Sequence, residues 1–258
     1  TQSLFPLLTA PGPAANSEYW VDPEIGNNAN DGSLEHPFAT IEALQAISSK
    51  SGLYDRVVAN LSPTTHVIKR FTCLSSNVWT FQTCLTCPEG VNASGNAILS
   101  IMPYPTALNG NNFLSLGETE PKNSAFSLNY RFVTFAPHMP ESGDPTFRST
   151  IISPQTGGVS LYNCLVKDFI ISKRTGSFIA PSSRALELWS TTFQDIEFID
   201  PQPFKASTNS RWPLIGGASV SNLVHDCLFT RINVVGAGIA GGILSCIHGA
   251  YTLRNSRF

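Results

Sequence analysis

Four segments in the second half of the chain share one pattern of polar and apolar positions. In each, a polar residue that favours turns stands three residues before an apolar anchor. The four pairs are Asn163 and Val166, Ser190 and Phe193, Asp226 and Phe229, and Asn255 and Phe258. The anchors are separated by 27, 36 and 29 residues, which suits coils of three short strands and three turns. The pattern therefore predicts regular stacked rungs over residues 159–258.

The rest of the chain is less regular. Residues 51–150 contain repeated Pro and Asn, which predicts loop-rich first rungs over this range. Residues 1–18 hold three prolines among small and apolar residues, so we expect an extended arm rather than a helix. The predicted domain covers residues 19–258.

The most specific stretch lies near the start of this domain. Residues 19–23 (YWVDP) predict a short strand, and residues 26–33 (GNNANDGS) are rich in turn formers. Ile41, Leu44 and Ile47 then repeat every three residues, which predicts a short amphipathic helix over residues 38–48.

This stretch resembles the entry segment of secreted right-handed parallel β-helix proteins, the pectin-lyase-like superfamily. The shared residues are YWVDP, GN, NDGS, PFATI and AL, in that order. Residues 241–245 (GGILS) also resemble repeats of polymorphic outer-membrane β-helices. The resemblance implies an all-β fold, a right-handed parallel β-helix with a short N-terminal capping helix. It implies no particular activity, because unrelated members share the string.

Composition removes several classes of function. Of the 258 residues, 13% are charged, about half the ~25% of an ordinary soluble domain, and the formal net charge is −2. This balance excludes a basic footprint for nucleic acid, and 42% hydrophobic residues exclude a disordered chain. The longest apolar run, residues 234–247, is shorter than the ~20 residues of a spanning helix, so we expect no membrane span.

The cysteines and two sequons point to an oxidising compartment. The even number of cysteines predicts a disulfide framework, built from Cys73, Cys84, Cys87, Cys164, Cys227 and Cys246. The sequons predict glycosylation at Asn60 and Asn92. Together these features predict an extracellular or cell-surface protein.

A zinc site is the alternative interpretation of part of this set. Three thiolates and an imidazole suit zinc, and His66 stands near Cys73, Cys84 and Cys87 in the sequence. A single CxxC makes a poor zinc motif, however, so disulfides are favoured and we expect no metal.

Residues 234–241 (VVGAGIAG) spell the GxGxxG fingerprint of dinucleotide-binding proteins. That motif needs a helix, a second strand and an acidic residue ~20 positions further on. Only seventeen residues follow Gly241, and no Asp or Glu occurs after Asp226. We therefore interpret the stretch as a Gly-rich turn between rungs and expect no cofactor.

A candidate catalytic group emerges from the repeat itself. Counting two residues past three of the anchors gives Asp168, Asp195 and Arg231, which form a vertical ladder if the rungs stack in register. An enzyme that cuts polysaccharides would use the two aspartates as an acid pair beside the arginine. A charge ladder on a solvated face is the favoured interpretation, because surface ion pairs are common and contribute little.

The last rung is expected to expose unpaired backbone groups and apolar side chains around Phe258. Either a continuing β-helix chain or another copy of the protein would cover it, the latter giving head-to-tail assembly. The arm could then lie along a neighbour's exposed edge. Its apolar contact residues would be Leu4, Phe5, Leu7 and Leu8.

These features favour a non-catalytic extracellular β-helix module with a structural, adhesive or filament-forming role. The alternative is a secreted polysaccharide lyase or glycoside hydrolase that acts on acidic cell-wall polysaccharide. A third class, a carbohydrate-binding module, would use exposed aromatic residues as platforms for sugar rings. Its candidates are Trp79, Trp189 and Trp212, for each of which anchoring in the core or in a loop is the alternative.

Overall fold

A computed structural model describes most of the repeat region and the segment that precedes it. The described residues are 16–44, 56–69, 71–73, 78–84, 95–103, 114–116, 127–139, 145–147, 150–153, 157–172, 177–179, 185–199, 213–217, 221–235, 243–246 and 250–258. Within them the chain is all-β, and the one helical element is a 3-10 turn, Ile41–Leu44. The helix predicted over residues 38–48 is therefore seen there only as this turn, and residues 45–48 lie outside the described part.

The strands, numbered in chain order, form three groups in which every pairing is parallel. Sheet A contains, in spatial order, β1 (Asn16–Val21), β2 (Arg56–Leu61), β5 (Val78–Thr83), β8 (Ser127–Arg131), β11 (Gly158–Tyr162), β14 (Leu186–Trp189), β17 (Asn222–His225) and β20 (Tyr251–Arg254). Sheet B contains β3 (Thr65–Ile68), β6 (Ala97–Ile101), β9 (Val133–Pro137), β12 (Leu165–Lys167) and β15 (Thr192–Ile199), and both β13 (Ile170–Ser172) and β18 (Leu228–Val235) also pair with β15. Group C contains β4 (Phe71–Cys73), β7 (Leu114–Leu116) and β10 (Ile152–Ser153), followed by the pair β16 (Ile215–Gly217) and β19 (Leu244–Cys246).

The chain passes through A, B and C once per lap, from β2, β3 and β4 to β17, β18 and β19. The lap that begins with β11 has two strands in sheet B, β12 and β13, and reaches group C only at Ile179. Each strand therefore pairs with the strands one lap earlier and one lap later, and long parallel sheets result. Single bridges through Ile179 connect the two parts of group C. This topology is compatible with the β-helix class.

The apolar anchors stack in one column of the core, as the repeat predicts. Val166 pairs with Phe193, and Phe193 pairs with Phe229. The rings of Phe193 and Phe229 are parallel with centroids 4.9 Å apart, and those of Phe229 and Phe258 are 4.6 Å apart. Side chains of the same kind thus meet at the spacing of parallel strands, ~4.8 Å.

A column of left-handed residues joins sheet A to sheet B. The four predicted turn formers all have positive φ: Asn163, Ser190, Asp226 and Asn255, with φ between 47° and 53°. Asn, Asp and Ser reach this region at low cost because their short polar side chains bond locally. Phe132 occupies the same position one lap before Asn163, with φ 55°, although nothing in its type predicts a turn.

The C-terminal end of the free edge of β1 is covered by the loop that follows it. The Trp20 amide donates to the Gly32 carbonyl at 2.8 Å, and the Phe38 amide donates to the Trp20 carbonyl at 2.9 Å. Gly32 has φ 77°, and a Cβ there would collide with the ring of Phe38. Phe38, Ile41 and Leu44 are buried against the core. We call residues 22–44 the cap.

The positive φ of the left-handed column restricts the side chains that its positions can accommodate. Replacing Asn163 by Val should lower the free energy of unfolding by about 1–2 kcal/mol, because a β-branched residue is strained at positive φ. Ser160→Val in β11 is the matched control, since valine suits a strand. Urea unfolding measures both. Equal stability of the two variants would contradict the assignment.

Candidate functional site

The register brings the three predicted ladder residues into one column on sheet B. Lys167 pairs with Gln194, and Gln194 pairs with Thr230, so the residues that follow them are aligned. These are Asp168, Asp195 and Arg231, with φ of 65°, 52° and 50°. The alignment predicted from the anchor spacing is confirmed, and the three residues form a second left-handed column.

Both carboxylate oxygens of Asp195 accept hydrogen bonds from Arg231. Arg231 donates from Nε to Oδ1 of Asp195 and from Nη2 to Oδ2, the latter at 2.7 Å. Asp168 is instead 3.3 Å from Nζ of Lys167, its own neighbour in sequence. The two aspartates therefore face different cations rather than each other.

The electrostatics of the pair oppose acid or base catalysis. The hydrogen bonds from Arg231 lower the pKa of Asp195, and the charges of Arg231 and Lys167 act in the same direction. The same contact raises the pKa of Arg231. A general acid near neutral pH needs a raised carboxyl pKa, and an arginine base needs a lowered one. The ion pair of Asp195 and Arg231 instead connects β15 to β18, which belong to neighbouring laps, at the protein surface.

Of the two candidate tryptophans that the structure describes, one is buried and the other has one ring face covered. Trp79 is buried in the core, which corrects its interpretation as an exposed aromatic residue. The ring of Trp189 packs on that of His225, with centroids 4.7 Å apart, so one of its faces is already covered. Trp212 lies outside the described residues.

The disulfide framework is not found among the cysteines whose side chains are described. Cys84, Cys164 and Cys227 are buried free thiols. Following the register, they occupy alternate laps of one column, with Val133 and Thr191 between them. Two laps separate neighbouring cysteines by about 10 Å, beyond the ~7 Å limit on Cα separation for a disulfide. The side chains of Cys73, Cys87 and Cys246 lie outside the description.

These thiols have a structural role that the sequence analysis missed. Sγ of Cys227 lies 3.4 Å from the carbonyl of His225, two residues earlier. Thr191 and Ser256 use their hydroxyls in the same way, each on a carbonyl two residues earlier, at 3.0 Å. Sγ of Cys164 lies 3.4 Å from the Tyr130 carbonyl. The signal was present in the repeat, because a Cys, Thr or Ser follows each of the four turn formers.

His66 is buried in β3 and bonds to the backbone. Its Nε2 lies 2.8 Å from the Ser62 carbonyl and donates to it, while Nδ1 has no partner among the described residues. Desolvation lowers the pKa of His66, and the Ser62 carbonyl and the Asp22 charge oppose this only in part. Among the described residues, no group of three or more His, Cys, Asp or Glu could hold a metal.

The Asn60 sequon lies in a poor environment for a glycan. Asn60 is a buried residue of β2, and its Oδ1 accepts a hydrogen bond of 2.9 Å from Nε2 of Gln82. A glycan on this side chain would have to displace that contact. Asn92 and the Gly-rich residues 236–242 lie outside the described part of the chain.

Comparison with protein-family models, curated proteins and solved structures found no match in any of the three. Within the described residues, no helix has the length and apolar character needed to cross a membrane. The function is therefore inferred from the geometry alone.

The buried thiols should be reduced and unreactive in the folded protein. Burial raises the pKa of Cys164 to about 11 and also raises that of Cys227, so neither forms a reactive thiolate near neutral pH. An alkylating reagent should label Cys84, Cys164 and Cys227 only after unfolding in guanidinium without reductant. Peptide mass spectrometry locates the label. If one of these three cysteines reacts only after reduction, it forms a disulfide, and the assignment of free thiols is wrong.

His66 should make the fold sensitive to acid. Because its folded pKa lies below the ordinary value of ~6.5, its neutral form favours folding above that pH. This stability is lost as the pH falls below ~6.5, where the unfolded chain takes up the proton first. The urea midpoint should fall between pH 7 and pH 5, and less so in His66→Gln. His36→Gln, at an exposed site, is the control and should behave as the parent protein.

Proposed function

We propose that the chain is a right-handed parallel β-helix that serves as a non-catalytic extracellular module. Its role is structural, adhesive or filament-forming, through contacts between the ends of the stack. The repeated A, B, C order of parallel strands supports the fold. The occupation of Asp195 by Arg231 supports a non-catalytic role, because no acid pair is left on the ladder.

The surface of the last described rung supports the proposal. β20 pairs with β17 on one side, and no described strand lies on its other side. Leu253 and Phe258 belong to inward-facing columns, yet they are 50% and 62% exposed. Unpaired strand edges with apolar side chains bind further strands or neighbouring molecules readily. We define Leu253, Arg254, Arg257 and Phe258 as the rung face.

Either self-association or a continuing β-helix chain would cover the rung face, and self-association is the behaviour that can be tested with this chain. The arm residues Leu4, Phe5, Leu7 and Leu8 lie outside the described part, so their contribution to such a contact remains a prediction. Extracellular location, glycosylation at Asn92 and a carbohydrate partner likewise remain predictions.

A charge on the rung face should prevent assembly. Sedimentation velocity of the 258-residue chain should show species that grow with concentration, and Leu253→Lys should sediment as a monomer because it buries a lysine in the contact. Thr252→Lys is the matched control, since Thr252 is exposed on the same strand and leaves assembly intact. Circular dichroism checks that both variants fold.

Two results would contradict the proposal. One is a parent chain that remains monomeric at every concentration. The other is cleavage of an acidic polysaccharide that is lost in Asp195→Asn, which would favour the alternative of a lyase or hydrolase.

A further inference from the structure

We propose that the outer face of sheet A carries a docking strip for an uncharged polyproline II segment, and that residues 1–15 of the same chain supply that segment. The strip consists of Phe132, Tyr162, Trp189 and His225, and we call it the aromatic strip. This inference goes beyond the proposed function, because it concerns the side of the stack and not its ends.

The register places three of these rings in one outward-facing column. Tyr162 pairs with Trp189, and Trp189 pairs with His225. Each follows a buried residue of its own strand, and side chains alternate between the two faces of a sheet. Tyr162 is 44% exposed, whereas Trp189 and His225 are half-buried. The column is therefore open to solvent.

The rings of the paired residues Tyr162 and Trp189 make their contacts in opposite directions along the stack. Tyr162 meets the edge of Phe132 from the preceding lap, with centroids 6.1 Å apart. Trp189 packs on His225 from the following lap, with centroids 4.7 Å apart. No ring contact joins Tyr162 to Trp189. A site lined by aromatic rings in this way suits the apolar side chains of a polyproline II segment.

The strip also offers hydrogen-bond donors. Neither the indole N–H of Trp189 nor the hydroxyl of Tyr162 makes a hydrogen bond with a described residue. A polyproline II backbone has no internal hydrogen bonds, and each proline in it removes a donor and leaves a carbonyl acceptor. Donors on the strip therefore match what such a segment lacks.

The charges around the strip are balanced. Two arginines and two acidic residues lie on or beside the strip's column, and they are Arg131, Arg254, Glu187 and Asp226. Their formal charges cancel, so the strip has no preference for a strongly charged partner. Residues 1–17 contain no Asp, Glu, Lys or Arg and fit this surface.

Residues 1–15 lie outside the described part, and their sequence favours polyproline II. Pro6, Pro11 and Pro13 fix their own φ near −65° and restrict the residues that precede them to extended conformations. A polyproline II helix has three faces, because it repeats every three residues. Two of the faces are apolar throughout, and they are formed by Leu4, Leu7, Ala10 and Pro13 and by Phe5, Leu8, Pro11 and Ala14. We expect these two faces to contact the strip, while the third, which contains Thr9, meets solvent.

The repeat of the segment matches the repeat of the strip. Polyproline II advances ~3.1 Å per residue, so Phe5 and Leu8 are ~9.3 Å apart. Tyr162 and His225 are two laps apart, which is ~9.6 Å at the strand spacing of ~4.8 Å. When Leu8 lies beside Tyr162, Phe5 can therefore lie beside His225.

The segment is also long enough to reach the strip of its own chain. It leads into Asn16 of β1, and β1 is four laps, or ~19 Å, from β11. Trp20 shares the column of Tyr162 and lies four residues, or ~13 Å, beyond Asn16. The straight distance from Asn16 to Tyr162 is thus ~23 Å, and the eight residues from Leu8 to Asn16 span ~25 Å. Covalent attachment then favours docking within the chain through a high effective concentration.

Photocrosslinking of the full chain tests this contact. Leu8→p-benzoylphenylalanine should attach on irradiation to peptides that contain Tyr162 or Trp189, which mass spectrometry identifies. Thr9→p-benzoylphenylalanine is the matched control, since it places the probe on the third face and should give severalfold less of this product. In a mixture of ¹⁵N-labelled probe chains with unlabelled chains, both halves of the product should carry ¹⁵N.

Substitutions on the strip complete the test. Adding Tyr162→Ser and Trp189→Ser should abolish attachment at these peptides, whereas Met139→Ser, which removes an exposed apolar side chain from another part of the surface, should not. Circular dichroism checks that the variants fold. Equal attachment from positions 8 and 9, or attachment that survives the double substitution, would overturn the docking strip. Products that join a labelled to an unlabelled chain would overturn docking within the chain and identify a second copy as the occupant. All of these outcomes leave the proposed function to its own test at the rung face.

Discussion

The parallel register between successive laps is the constraint on which the rest of the structure depends. Because each residue stacks on its counterpart one lap away, the side chain at one position decides what its neighbours in the column must be. Sliding one lap by a single residue would move its apolar set from the core to the surface. The left-handed columns oppose such a slip, because Asn163 and Ser190 adopt positive φ at lower cost than the bulky residues Tyr162 and Trp189 that precede them. The turn residues therefore fix the register, and the register assembles both the phenylalanine stack and the charged ladder.

This constraint explains which parts of the fold the sequence predicts. The later laps could be aligned from the sequence alone, because turn former and anchor keep a fixed distance of three residues and the ladder residues inherit that alignment. The earlier laps could not, since Phe132 holds the turn position without being a turn former. Its backbone is held by neighbouring laps: the Phe132 amide donates to the Tyr162 carbonyl at 3.0 Å, and Thr83 donates to its carbonyl. At Phe132 tertiary contacts thus outweigh the residue's own preference for negative φ, and a pattern of residue types cannot predict such contacts.

The cysteines show a related limit of sequence reasoning. An even number of cysteines suggests disulfide pairs when their positions in the fold are not considered. In a stacked repeat, residues at one position are separated by whole laps, so neither the Cys84–Cys164 nor the Cys164–Cys227 separation suits a bond. What unites Cys164, Thr191, Cys227 and Ser256 is a small side chain that can donate a hydrogen bond to a carbonyl near the turn. This shared hydrogen bond is recognised only when residues at the same position of successive laps are compared, and not when the cysteines are considered alone.

The two ends of the stack are unequal for a physical reason. A parallel sheet leaves one edge free at each end, and each edge must be covered, paired or left exposed. At the first edge the Gly32 and Phe38 backbones supply the missing partners of Trp20, so a loop covers the C-terminal end of that edge. At β20 no described segment pairs with the outer edge, and Leu253 and Phe258 of the apolar columns are exposed. Because every strand pair is parallel, the two edges of sheet A are not equivalent, and their backbone partners must come from different kinds of segment.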